Sequence, residues 1–200
     1  MENSMITIDE ITIVRDGREI IYDYSEQIPA GSITVIVGPN GCGKSTLLAA
    51  IAGDFAPDKG VITIDELHPI LTSPQELSRI RAMAVQNQSF TLGFTVRQII
   101  EMAGKADQVI EQLALGEIAD RLVTTLSGGE AQRVAIAQAI AQNTPVLLLD
   151  EPLAAQDVYS RGRIIQLLKE LAEEGKTIVV VAHSSESELS WADKVIKQFH

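Results

Sequence analysis

The chain has 200 residues, 46% of them apolar, enough for one large domain with a buried core. A formal net charge of −11 argues against a broad nucleic-acid surface, which needs clustered Lys and Arg. One cysteine, Cys42, excludes an internal disulfide, no basic-then-apolar leader opens the chain, and no run approaches the ~18 apolar residues of a membrane span.

The opening "MITIDEITIV" and "EIIYDYSEQI" alternate apolar and polar residues around the turn residues Asp16 to Arg18, as half-buried antiparallel strands do. "ITVIV", Ile33 to Val37, is apolar throughout and predicts a strand covered on both faces. "KSTLLAAIAG" has helical spacing and stops at Gly53, and "GVITID" is a further short strand. "SPQE", Ser73 to Glu76, places an N-cap serine, a proline at the first helical position and a glutamate at the third, so a short helix begins there. "RAMAVQ" reads as a strand.

From Thr95 to Thr125 the periodicity is helical, punctuated by Gly104 and Gly116. "SGGE", Ser127 to Glu130, has capping-box spacing before the helix "AQRVAIAQAIAQ". "PVLLLD" and "TIVVVAH" are buried strands flanking the helix "VYSRGRIIQLLKELAEEG". "SESELSWA" is a short helix and "KVIKQFH" a last short strand. Buried strands alternating with helices predict an α/β fold with a parallel sheet. The N-terminal antiparallel strands and a helical insert at 89–126 stand outside that alternation. The expected organisation is one domain over 1–200, with 1–88 and 127–200 forming the core.

Three segments carry chemistry. In "VGPNGCGKST", Gly38, Gly43, Lys44 and Ser45 fit the phosphate-binding pattern G-x-x-x-x-G-K-[ST] between a buried strand and a helix. Glycines let backbone N–H groups turn toward phosphate oxygens, and the helix presents its positive end. Lys44 adds a full charge, and Ser45 is a ligand for Mg²⁺. In "PVLLLDE" the strand ends in Asp150, suited to the magnesium shell, and Glu151, suited to act as general base on an attacking water. In "LSGGE", two glycines at a helix start cost about 1 kcal/mol each against alanine, which a close approach of backbone N–H groups to a ligand explains.

Together "GPNGCGKST", "LSGGEAQRV", "VLLLDEP" and "VVAH" resemble the ATP-binding cassette (ABC) ATPase family, in family order and over essentially the whole chain. The resemblance implies a P-loop NTPase fold, the cofactors ATP and Mg²⁺, and a head-to-tail pair of cassettes enclosing ATP. It implies that Gly38, Pro39, Asn40, Gly41, Cys42, Gly43, Lys44, Ser45 and Thr46 hold the phosphates. Ser127, Gly128, Gly129 and Glu130 would form the signature turn that reaches the partner's γ-phosphate. Glu151 would be the catalytic base, His183 the switch histidine, Asp157 the D-loop aspartate at the dimer interface. Gln86, with Gln88 as the competing choice, would contact Mg²⁺ and water, joining Ser45 and Asp150 as the metal set. Cys42, where the family has a small residue, reads as small filler.

The sequence departs from the family at three places. Where an aromatic residue often stacks on adenine, counting places Arg15, or Val14 beside it. The D-loop has Gln156 in place of leucine and Ala154 in place of serine. No C-terminal regulatory domain is expected. Three functions compete: the ATPase subunit of a membrane transporter, a soluble ABC ATPase such as one in iron–sulfur assembly, and a regulatory nucleotide switch. The acid pair Asp150 and Glu151 disfavours the switch, and the short single cassette favours the transporter. "PQELSRIRAMAVQNQ" and "FTVRQIIEMA" resemble importers of chelated iron, haem and cobalamin, while an exporter cassette stays open. The implied partners are a second copy, integral permease subunits and a substrate-binding protein, and no nucleic acid. The implied location is the cytoplasmic face of the cell membrane.

Overall fold

The computed structural model describes residues 4–86, 90, 93–183 and 188–197. Two sheets organise it. Strands β1 (Ser4–Arg15), β2 (Arg18–Pro29) and β4 (Lys59–Ile64) form an antiparallel sheet in the order β2-β1-β4. Strands β5 (Arg81–Ala84), β6 (Val146–Asp150), β7 (Thr177–Ala182), β3 (Ile33–Val37) and β8 (Lys194–Ile196) form a parallel sheet in the order β5-β6-β7-β3-β8.

The apolar runs of the parallel sheet divide by the two-residue period of a strand. Ile33, Val35, Leu147, Leu149, Ile178 and Val180 face a core shared with α3 (Val96–Ala103), α5 (Gly128–Ala141) and α6 (Val158–Glu173). Ile36, Val146, Leu148, Val179 and Val181 face a second core, shared with α1 (Lys44–Ala52) and the antiparallel sheet. The parallel sheet is therefore covered on both faces, as its continuous apolar segments require.

The N-terminal strands are less regular than simple alternation predicts. Ile6 and Ile8 are buried, but the next buried apolar positions are Ile11 and Ile13. The register shifts between Ile8 and Ile11, where Glu10 has φ +47°. This bulge restores the apolar face after one extra residue and sharpens the local twist.

Helix starts follow the capping signals. Ser73 caps α2 (Pro74–Ile80) by accepting from the N–H of Glu76, and Ser127 with Glu130 forms a full capping box on α5. Gly53 ends α1 in the left-handed region at φ +82°. The expected helical stretch from Thr95 to Thr125 resolves into α3, α4 (Ala106–Gln112) and 3₁₀ turns at Gly116–Ile118 and Val123–Thr125. Residues 185–187 of the expected "SESELSWA" helix lie outside the described residues. Its described remainder includes a turn in which Ala192 N–H donates to the Leu189 carbonyl.

Thr34, inside β3, is fully buried, and its hydroxyl has no hydrogen-bond partner among the described residues. A buried unpaired hydroxyl costs about 1–3 kcal/mol. Thr34→Val is thus expected to raise the unfolding midpoint of the isolated chain; a midpoint at or below that of the parent would show the hydroxyl is satisfied.

Candidate active site

Four neighbouring strands of the parallel sheet deliver their C-terminal ends to one place. Beyond β5 lies Gln86, at the end of β6 Asp150 and Glu151, after β7 His183, and after β3 the loop from Gly38. The crevice outside the carboxyl ends of parallel strands is where such sheets bind ligands. An open cavity of about 650 Å³ lies there, with Lys44, Ser45, Gln86, Glu151 and His183 in its wall.

The loop is shaped by its last glycine. Gly43 has φ +102°, and a Cβ there would come 2.8 Å from Cγ2 of Ile20 on β2. Only glycine meets both demands. Gly43 is also the N-cap of α1 and offers no side chain to cap it, so the positive end of the helix opens toward the cavity. Lys44 is buried, and its ammonium donates to the carbonyls of Gly38 (2.8 Å) and Pro39 (2.9 Å). Asn40, Gly41 and Thr46 join the cavity wall. Cys42 is half-buried and packs toward Gly38, where an added Cβ would sit 2.9 Å from its Sγ.

The acidic side is a hydrogen-bonded cluster. Ser45 Oγ donates to Asp150 Oδ1 at 3.1 Å. Burial pushes the Asp150 carboxyl above its usual range, and the Ser45 hydrogen bond pulls against that shift. Glu151 is held from both sides: Gln86 Nε2 donates to Oε2 at 2.5 Å, and His183 Nε2 lies 2.6 Å from Oε1. Glu151 sits at φ +50°, a strained conformation for a non-glycine residue, with its N–H donating to the Val181 carbonyl. Gln88, the alternative to Gln86, lies outside the described residues.

Of the two adenine-side candidates, Arg15 lines the cavity and Val14 does not. The Arg15 guanidinium carbon lies 3.8 Å from the ring centroid of Phe55, a cation–π contact. Ile20 and Phe55 were not legible as site residues, because both act through contacts between distant segments.

The signature turn and Asp157 stand apart from this cavity. Ser127 and Glu130 complete the capping box, with Glu130 Oε2 accepting from Ser127 N–H at 2.7 Å. That hydrogen bond, assisted by Arg121, holds the Glu130 carboxyl below its usual range. Asp157 caps α6, accepting from the N–H groups of Tyr159 and Ser160 at 2.9 Å each. The two glycines separate: a Cβ on Gly129 would sit 2.7 Å from the Ala155 carbonyl oxygen, whereas a Cβ on Gly128 meets nothing within 4 Å. The second glycine is thus demanded by packing within the chain. Only the first has no internal reason to be there.

A phosphate loop at the end of an interior strand of a parallel sheet, with two acids at the end of β6, one strand removed from β3, defines a P-loop nucleotide hydrolase. Comparison with known proteins narrows this. Residues 21–154 match the ABC transporter family. The hemin import ATP-binding protein HmuV of Rhodococcus jostii is 36% identical over 202 residues, covering 94% of this chain and 69% of that protein. The cobalamin import ATP-binding protein BtuD of Halobacterium salinarum is 36% identical over 197 residues, covering 90% of this chain and 49% of that protein. Among solved structures, the dimeric bacterial ABC transporter cassette MJ0796 superposes with a TM-score of 0.83 at 29% identity, over 97% of this chain and 94% of that one. The ATP-binding subunit of another ABC transporter reaches 0.90 at 18% identity, over 98% and 86%, which shows the shared fold. The chain belongs to the ABC transporter family, as an ATP-binding, ATP-hydrolysing subunit.

The glycine geometry is open to direct test. Gly129→Ala is expected to destabilise the isolated chain by about 1–3 kcal/mol through its clash with the 155 carbonyl. Gly128→Ala is expected to leave the melting temperature unchanged or raised, since alanine favours the helix by up to about 1 kcal/mol. Equal melting temperatures for the two variants would contradict the distinction.

Proposed function

We propose that this chain powers an importer of a metal chelate of the haem or cobalamin class, working as a homodimer with two integral permease subunits and a substrate-binding protein. The observation that supports the catalytic reading is the bracketing of Glu151 by Gln86 and His183 at the mouth of the phosphate loop. The importer reading draws on the hemin and cobalamin import proteins among its relatives. Among the described residues no helix is long and apolar enough to cross a membrane. In this reading the chain meets the membrane through the permease, at its cytoplasmic face.

In this reading Gly38 to Thr46 wrap the phosphates, and Lys44 turns its ammonium from the loop carbonyls to the outer phosphate oxygens. The hard oxygen donors Ser45, Asp150 and Gln86 suit Mg²⁺, and the buried Asp150 carboxyl would be relieved of its burial cost by a cation. The ion supplies charge neutralisation on the phosphate oxygens. Glu151 accepts the proton of a water aligned on the γ-phosphorus as the bond to the β-phosphate oxygen breaks, and His183 donates to the γ-phosphate. Arg15, braced on Phe55, offers its guanidinium to the nucleobase. Ser127, Gly128 and Gly129 complete the second copy's site, with Glu130 holding the turn and Asp157 at the interface. The core, 1–88 and 127–200, carries the nucleotide, and the segment 89–126 with Gln86 transmits closure to the permease.

Glu151→Gln is expected to keep ATP affinity within a few-fold while lowering turnover by about 10²–10⁴, as loss of a general base does. A variant with normal turnover would remove Glu151 from that role. Lys44→Ala is expected to weaken ATP binding at least tenfold by calorimetry, and unchanged affinity would overturn the phosphate-loop assignment. The transport reading is tested by isolating the chain from its native membrane and reconstituting it with the co-purifying integral subunit. ATP-dependent uptake of haem or cobalamin into vesicles supports it, and a soluble scaffold as the sole partner rejects it.

A further inference from the structure

The loop between Glu151 and α6 is bound to the signature turn of its own chain. Gln156 is 8% exposed, and its Nε2 donates to the Gly129 carbonyl at 3.1 Å. Its neighbour Ala155 presses its carbonyl against the bare Cα of Gly129. A second tie runs beside the first. Arg133 of α5 donates to Ser160 Oγ at 2.6 Å and lies 3.9 Å from Asp157 Oδ2, and Ser160 in turn donates to Asp157 at 2.7 Å. The loop itself is stiffly set: Glu151 and Ala155 both lie in the left-handed region, at φ +50° and +54°.

Gln156 does not earn this position by packing. Its Oε1 is buried without a hydrogen-bond partner among the described residues, so half of the amide is desolvated for nothing. An apolar side chain of similar volume would fill the space without that penalty. What the amide adds is a directed bond to one carbonyl in the first turn of α5, the turn that carries Ser127 to Gly129.

We propose that Gln156 is a positioning residue that couples the Glu151 loop to the signature turn, so that both move as one body. This rests on the reading above, in which the signature turn completes the nucleotide site of a second copy. A nucleotide that shifts Glu151 in one chain then shifts the turn lent to the other, and the two sites of the pair respond together. The coupling runs through the Gly129 carbonyl and not through the nucleotide contacts of the same chain, which Gln156 does not touch.

The test uses the full chain carrying Glu151→Gln, which is expected to pair on addition of ATP and Mg²⁺. Into it are placed Gln156→Met, which keeps the volume without a donor, and Gln156→Glu, which presents an acceptor to the carbonyl when ionised. Sedimentation measures pairing, a fluorescent ATP analogue at low protein concentration measures binding to the single chain, and thermal melting reports folding. Gln156→Met is expected to keep its melting temperature and its single-chain ATP affinity within twofold, while the dissociation constant of the ATP-bound pair rises at least tenfold. In the chain with Glu151 intact, the same substitution lowers the Hill coefficient for ATP toward one. Gln156→Glu pairs worse still near pH 8 but recovers relative to Gln156→Met as the pH falls toward about 6, because a buried carboxyl protonates early and its O–H then replaces the lost donor. Unchanged pairing and an unchanged Hill coefficient in Gln156→Met would overturn the proposal, as would the absence of any pH-dependent recovery in Gln156→Glu. Failure of the Glu151→Gln chain itself to pair would instead overturn the dimer reading beneath it.

Discussion

The nucleotide site depends on one crowded glycine. Gly43 lies beneath Ile20 in a left-handed conformation, at the point where β3 turns into α1. Because nothing larger fits, the helix begins without a capping side chain, and its positive end is left to whatever enters the cavity. Because Ile20 comes from β2, the antiparallel sheet is part of the site and not an attached ornament. The same sheet brings Arg15 to the cavity wall. Lys44, buried beside the loop carbonyls, has its charge stored in place before any phosphate arrives.

The acidic half of the site follows from strand order. With β6 between β5 and β7, Asp150 and Glu151 emerge flanked by Gln86 on one side and His183 on the other. An unpaired carboxylate buried there would be costly, and the structure spreads the burden through hydrogen bonds from Ser45 to Asp150 and from Gln86 to Glu151. These bonds keep the cluster compact. In the proposed reading they are also the contacts that a nucleotide with its metal exchanges for its own.

Much of this was legible in the sequence, and the legible parts share a cause. Capping boxes, the proline at a helix start, the phosphate loop and the uninterrupted apolar strands are all set by residues within a few positions of one another. Ser73, Ser127 and Gly53 act as their neighbours predict. What escaped depends on contacts across long separations. The bulge at Glu10 shifts an alternation that read as regular. Counting along the sequence leaves Arg15 and Val14 side by side, and only the fold shows that Arg15 is the one lining the cavity. The glycine pair 128–129 read as one feature with one purpose, because nothing near it in sequence reveals the Ala155 carbonyl pressed against the second glycine.

The separation of the signature turn from the chain's own cavity shapes what pairing must do. Each chain carries one phosphate loop and one signature turn that stands apart from its cavity, and in the proposed reading catalytic completeness belongs to two copies. Each copy also carries a formal charge of −11. Two such bodies repel at low ionic strength, and the surfaces that would meet gain little until something cationic or strongly directional bridges them. In the proposed cycle the bridge is the nucleotide with its metal, held by the phosphate loop on one side and by the turn on the other. Hydrolysis cuts that bridge in the middle.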